Sequence, residues 1–247
     1  MAQGIHQKKS PYIKSTEERP RRYHYSESND DDESSSLQTK QGRKKVTEHD
    51  LYPKLTKFLW REFEINSKRI DERQSSNVGG TNANKWLYPD LVGIENLSRD
   101  WRDDIKKVVE AHEDKKAKLW SFEVKLKITS SNVREYFFQA VSNSSWANYA
   151  YLVASEISTA HDERVMKELR MLSSLHGVGV ILLNYENPAE SIVKIPAQER
   201  SSIDWNVANR LAESSKDFAK YIESVFAFYK TDKIQPADWD KVDLDSE

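Results

Sequence analysis

A carboxylate and an ammonium two residues apart carry the first chemical signal in this chain. Glu123 and Lys125 lie in Ser121-Phe122-Glu123-Val124-Lys125-Leu126, and Asp90 lies upstream in Tyr88-Pro89-Asp90-Leu91. If both stretches are strands, Glu123 and Lys125 share a face, because successive strand side chains alternate. Asp90 on a neighbouring strand would then join them. Two carboxylates and an ammonium at one point are what a metal-dependent phosphodiester hydrolase requires. Such a reaction needs a water made nucleophilic at neutral pH and a stabiliser for charge on the leaving oxygen. Bound Mg²⁺ (or Mn²⁺) supplies both while keeping several waters. Asp90 and Glu123 are the expected ligands, with the backbone carbonyl of Val124 as a third. Lys125 would orient or deprotonate the attacking water, its pKa lowered by burial beside the metal.

An E-x-K triplet alone arises by chance about once in a chain of this size. The competing assignment is a solvent-facing Glu and Lys on an amphipathic strand. Context separates the two. Phe122, Val124 and Leu126 make the opposite face apolar, a Pro-Asp strand precedes, and a helix with polar residues beside an apolar stripe follows. The strongly apolar run Tyr149 to Ala154 comes next, as a central sheet requires.

Composition narrows the remaining chemistry. The chain has 247 residues, a formal charge of -2, 37% hydrophobic and 32% charged residues, and no Cys. Disulfides and thiolate metal sites are excluded, leaving carboxylates and 6 His, which are scattered without an HExxH or a close pair. The near-neutral charge offers no global argument for nucleic acid, so any such argument is local. No apolar run reaches membrane-spanning length, and Met1 to Tyr12 lacks the apolar core of a signal peptide. The expectation is a cytoplasmic protein with no membrane partner.

The elements that must position the site follow from periodicity and turn residues. Residues 1–45 are polar and charge-blocked, with basic Arg19-Pro20-Arg21-Arg22, acidic Asp30-Asp31-Asp32-Glu33 and basic Gly42-Arg43-Lys44-Lys45. They read as a disordered leader, with too few apolar residues to offset the entropy of ordering. Leu51, Leu55, Phe58 and Leu59 recur at helical spacing behind Thr47 as N-cap. A short strand is expected at Ile65 to Ile70, a polar loop at Gln74 to Lys85 and a strand at Leu87 to Ile94. Residues 99 to 116 read as a charged helical insertion. A strand over Leu119 to Ile128 and a helix on Val133, Phe137, Ala140 and Val141 follow. Further on come the Tyr149 to Ala154 strand, a helix from His161 to Leu175 closed by Gly177, and strands at Val178 to Leu183 and Ile192 to Ile195. Two helices near Trp205 to Ser214 and Lys216 to Tyr229 end the domain at residue 238, leaving residues 239–247 as an acidic, frayed tail. The fold class is α/β, a mixed central sheet flanked by helices.

This order of parts resembles the PD-(D/E)XK nuclease superfamily, the restriction-endonuclease-like fold. Residues 46 to about 240 more narrowly resemble the bacterial HrgA-like proteins. The likeness rests on Asn84 to Gly93, Leu119 to Leu126, Asn132 to Ser142 and Trp146 to Ala154. It implies metal-binding roles for Asp90 and Glu123 and a catalytic role for Lys125. It further implies a supporting role for Gln139 and, on the first helix, an acidic contributor, Glu48 or alternatively Glu62. In that family the domain commonly lies downstream of a winged helix-turn-helix module and is associated with restriction systems. The 45-residue leader is too short and polar for that module, so either the module lies on another polypeptide, as a winged helix-turn-helix or methyltransferase partner, or this member lacks it. Double-strand cutting would imply a homodimer, although no residue marks its interface.

Other residues are open to two readings. Gln139 suits the site or a buried amide bonded to backbone, and Glu48 suits the site or the helix macrodipole. Arg134 suits a DNA phosphate or a surface ion pair. Asn82, Asn84 and Lys85 lie in the loop entering the Asp90 strand, where they would hold a DNA backbone or simply form a connection. Trp86, Trp146 and Trp205 suit base stacking or packing. The resulting expectation is a Mg²⁺-dependent DNA endonuclease. The rivals are a non-catalytic nucleic-acid- or partner-binding module on the same fold and a nuclease for RNA or junctions.

Overall fold

The computed structural model describes residues 13–15, 23–25, 46–71, 88–158 and 162–242. The chain divides into two units, Met1–Lys44 and Lys45–Glu247. In the first, β1 (Ile13–Ser15) pairs antiparallel with β2 (Tyr23–Tyr25), Ile13 opposite Tyr25. No element was expected there, since each strand is only 3 residues long. The rest of the expected disordered leader, including its three charged clusters, lies outside the described residues.

The second unit is built on a six-stranded mixed sheet. In chain order its elements are α1 (Glu48–Phe63), β3 (Asn66–Arg69), β4 (Leu91–Asn96), α2 (Asp103–Ala111), β5 (Ala117–Ile128), α3 (Val133–Ser142) and β6 (Tyr149–Ile157). Then follow α4 (Asp162–His176), β7 (Gly179–Leu182), β8 (Ile192–Ile195), α5 (Trp205–Ser214) and α6 (Lys216–Thr231). The spatial order is β3-β4-β5-β6-β7-β8. β5, β6 and β7 run parallel, and the pairs β3/β4, β4/β5 and β7/β8 are antiparallel. Parallel neighbours need crossovers, which α3 and α4 supply.

Both faces of the sheet are covered. Leu51, Leu55, Phe58 and Leu59 of α1 pack on Phe122, Val124, Tyr151 and Val153. On the opposite face, Val133, Phe137 and Ala140 of α3 and Val165, Leu169 and Leu172 of α4 pack on Ala150, Leu152 and Ala154. A third cluster joins α5 and α6 to Val92, Ile94 and Leu119 around Trp146. Full burial of a side chain such as Phe122 or Val124 contributes about 1.5–3 kcal/mol. That anchorage lets β5 carry charge on its other face.

Turn chemistry sets two boundaries. Gly177 has φ of 73°, the left-handed conformation that glycine adopts without a Cβ penalty, and ends α4. At Gly179 a Cβ would stand 2.4 Å from Tyr151 Cε1 and 2.6 Å from the Ala197 nitrogen, so no side chain fits.

Trp239 and Asp240, the first two residues of the tail, differ from its expected frayed state. Trp239 is buried and packs edge-on against Tyr221 at 5.9 Å. The Asp240 N–H donates to the Ser67 carbonyl at 2.9 Å, and its carboxylate accepts the Arg69 N–H at 2.8 Å. Asp240 thus continues the hydrogen bonding along the β3 edge, which its acidic surroundings in sequence concealed. Residues 243–247 lie outside the described residues. The charged insertion is shorter than expected, with α2 burying none of its residues. Among the described residues no helix is long and apolar enough to cross a membrane.

Candidate active site

The site lies where β4 stops alongside β5. The two strands pair from Asn96↔Ala117 to Leu91↔Phe122. Beyond Phe122, β5 keeps β6 on its other edge, from Glu123↔Leu152 to Ile128↔Ile157. The strand expected from Leu87 therefore begins only at Leu91. Pro89 explains the delay, since it has no N–H to give to a ladder. The Asp90 N–H still donates to the Phe122 carbonyl at 3.1 Å, but its side chain takes over from there. The carboxylate accepts the Val124 N–H at 2.6 Å, standing in for a strand carbonyl, and accepts the Tyr52 hydroxyl at 3.3 Å. N–H and C=O of one strand residue point to the same edge, so the Val124 carbonyl also faces this gap.

Glu123 and Lys125 share the face of β5 that α3 covers. Lys125 Nζ lies 2.7 Å from Glu123 Oε1, and both residues are buried. The Tyr136 ring centroid is 5.4 Å from the same ammonium. Asn143, just past α3, donates from Nδ2 to Glu123 Oε2 at 3.0 Å and to the Tyr88 carbonyl at 2.9 Å. Tyr136, Gln139 and Asn143 follow one another at three- and four-residue steps, along one helical face. Gln139 is fully buried, and neither atom of its side-chain amide has a hydrogen-bond partner among the described residues. Asn143 Oδ1 is likewise unpartnered. Buried polar atoms left this way cost about 1–3 kcal/mol each, so this wall is not arranged for stability alone.

Burial dominates the electrostatics of the site, modified by one ammonium among several carboxylates. Burial raises the pKa of Asp90, partly opposed by Lys125, the Val124 N–H and the Tyr52 hydroxyl, while Glu48 adds to the rise. Burial and the charge of Asp90 push Glu123 up to about 8, against the pull of Lys125 and Asn143. Burial by itself would lower the pKa of Lys125, but Glu123, Asp90 and Glu48 outweigh it and raise it. These neighbours by themselves hold the ammonium protonated, whereas the lowering expected beside a metal is an effect of the bound ion's own charge. Burial and Asp90 also raise the pKa of Tyr52.

This donor set fits a hard divalent cation. Its oxygens come from Asp90, Glu123 and the Val124 carbonyl, without sulfur or imidazole, which suits Mg²⁺ or Mn²⁺ over softer metals. The raised carboxylate pKa values report burial first and, for Glu123, the neighbouring charge of Asp90 second, and a bound cation would offset both. Among the described residues, no group of three or more acidic or His side chains forms a metal cage. Two carboxylates, a carbonyl and waters are therefore the complement to consider.

Of the other expected residues, Glu48 is brought within electrostatic reach of Asp90 and Lys125 from the first turn of α1. Glu62 is exposed and 14 residues further along the same helix, about 21 Å away at 1.5 Å per residue. Arg134 is exposed and bonds Glu168 at 2.6 Å, the ion-pair alternative. Asn82, Asn84, Lys85 and Trp86 lie outside the described residues. Trp146 is core, donating to the Asn143 carbonyl at 2.8 Å, whereas Trp205 is 62% exposed. The sequence reading did not single out Tyr52, Tyr136 or Asn143. Helical spacing from Gln139 would have found the last two. A scan of protein-family models and searches of curated proteins and of solved structures match nothing to this chain.

Proposed function

We propose that residues 46–240 form a Mg²⁺- or Mn²⁺-dependent endonuclease domain that hydrolyses DNA phosphodiester bonds. The observation that carries the reading is the meeting of Asp90, Glu123 and Lys125 at the end of the β4–β5 pairing, with the ammonium 2.7 Å from one carboxylate. Asp90 and Glu123 would hold the ion, with the Val124 carbonyl as third donor. When bound, the ion lowers the pKa of a coordinated water and withdraws charge from the phosphate.

The chain's own groups divide the remaining work. Lys125 would donate hydrogen bonds that orient the attacking water and neutralise a phosphate oxygen. Tyr52 and the Val124 N–H fix the Asp90 carboxylate, and Asn143 fixes that of Glu123. The water oxygen bonds to phosphorus as the bond to the leaving oxygen breaks, the water losing its proton to bulk solvent and the leaving oxygen taking one up from solvent. Gln139, buried with its amide uncommitted, supplies a polar wall on the α3 side.

The resemblance to PD-(D/E)XK nucleases and HrgA-like proteins adds DNA as substrate and a restriction or defence setting. It also adds a homodimer for double-strand cuts and a winged helix-turn-helix or methyltransferase partner. Labelled duplex DNA, single-stranded RNA and a four-way junction, each incubated with Mg²⁺ or EDTA, test the reading. Cleavage of the duplex in Mg²⁺ alone is expected. Binding without cleavage of any substrate would favour a non-catalytic module, and cleavage of RNA or junction alone would change the substrate.

A further inference from the structure

The side chain of Asn143 ties the two ligand-bearing segments together. Its Nδ2 donates to the Tyr88 carbonyl at 2.9 Å and to Glu123 Oε2 at 3.0 Å. An amide nitrogen carries two hydrogens, so one atom serves both bonds. The reverse orientation would set Oδ1 against the Tyr88 carbonyl, which can only accept, so the assigned orientation is the one the network favours. Backbone and neighbouring contacts hold the residue in place. Its N–H donates to the Gln139 carbonyl at 3.0 Å, and its carbonyl accepts from Ser121 Oγ at 3.0 Å and Trp146 Nε1 at 2.8 Å. Both donor hydrogens are used while buried Oδ1 is left without a partner among the described residues.

Tyr88 stands two residues before Asp90, and the Pro89 ring between them restricts the link. Asp90 is already tied to β5 through the Phe122 carbonyl and the Val124 N–H, and holding the Tyr88 carbonyl and the Glu123 carboxylate on one nitrogen adds the tie that fixes the Glu123 side chain relative to the Asp90 segment. Taking that pair as divalent-metal ligands, as in the reading above, we propose that Asn143 is a positioning residue that makes the site select Mg²⁺ over Ca²⁺. Mg²⁺ demands near-ideal octahedral geometry at about 2.0–2.1 Å, whereas Ca²⁺ accepts irregular shells at about 2.3–2.6 Å. A rigid spacing between carboxylates serves the small ion, and a loosened one penalises it more than the large one.

Calorimetric titration of the full chain with MgCl₂ and with CaCl₂ tests this, comparing wild type, Asn143→Leu, Asn143→Ala and Glu123→Gln. Circular dichroism in EDTA checks the fold of each. Leucine keeps the volume without hydrogen bonds, and alanine covers the case in which leucine crowds the site. Mg²⁺ affinity should fall about tenfold or more in the Asn143 variants, the usual effect of losing a group that orients a ligand. Ca²⁺ affinity should stay within about threefold. Equal weakening of both ions, no weakening, or loss of fold in both variants would make Asn143 structural and overturn the proposal. Wild-type binding that is absent, or that Glu123→Gln leaves intact, would instead overturn the metal reading and the selectivity with it.

Discussion

The Asp90 carboxylate accepts the Val124 N–H at 2.6 Å, so a side chain completes the hydrogen bonding of β5 where β4 ends. The same group is therefore both a structural acceptor and a candidate metal ligand. The two roles separate by substitution. Asp90→Asn keeps an acceptor for Val124 and should unfold in urea within about 1 kcal/mol of wild type, while Asp90→Ala leaves a buried N–H unpaired and should lose about 1–3 kcal/mol. Both should lose Mn²⁺ binding, measured by calorimetry.

Lys125 neutralises the carboxylates that would hold the ion. Lys125→Met removes the competing charge and should tighten Mn²⁺ binding about tenfold, the equivalent of ~1.4 kcal/mol. Cleavage should nevertheless fall by about 10²-fold or more, the scale of losing a positioned proton donor or acceptor. Binding that weakens together with cleavage would mean that Lys125 shapes the metal site and does not act on substrate.

Glu123 gives a pH dependence with a defined sign. Its pKa rises from 4.5 to about 8 on folding, so the folded state binds the proton more tightly. That contribution to stability is complete below 4.5 and is lost as pH rises through about 8. In EDTA, the melting temperature of wild type relative to Glu123→Gln should fall between pH 5 and 8. Mg²⁺ should restore more stability at pH 8 than at pH 5, because the ion binds the deprotonated carboxylate. A pH-independent difference in EDTA would contradict the buried-charge account.

Trp239 belongs to the core beside Tyr221 and Phe218. Trp239→Ala should cost about 3–5 kcal/mol, read from urea denaturation, as for other large-to-alanine core changes. A loss below about 1 kcal/mol would return this segment to the frayed tail that its acidic sequence suggests.

Much of the sheet was legible because its periodicity is local. Phe122, Val124 and Leu126 alternate with Glu123 and Lys125, and the apolar runs at β6 and β7 have the length of buried strands. The mixed sheet flanked by helices follows from that order of elements. What was hidden depends on contacts between distant segments. Asn143 lies 20 residues after Glu123 in a Ser- and Asn-rich stretch that looks like a plain turn until α3 folds back on β5. Tyr52 looks like another apolar position of α1 until its hydroxyl meets Asp90. The direction of the Lys125 shift was hidden for a similar reason. Burial alone predicts a lowered pKa, and only the assembled carboxylates reverse it.

Nicking of supercoiled plasmid under single-turnover conditions tests the central claim most directly, with wild type, Glu123→Gln and Lys125→Ala compared in Mg²⁺ and in EDTA. Wild type should nick only in Mg²⁺, and both variants should be slower by about 10²-fold or more while remaining folded. Equal nicking by wild type and Lys125→Ala, or nicking that survives EDTA, would contradict a metal-dependent site built from Asp90, Glu123 and Lys125.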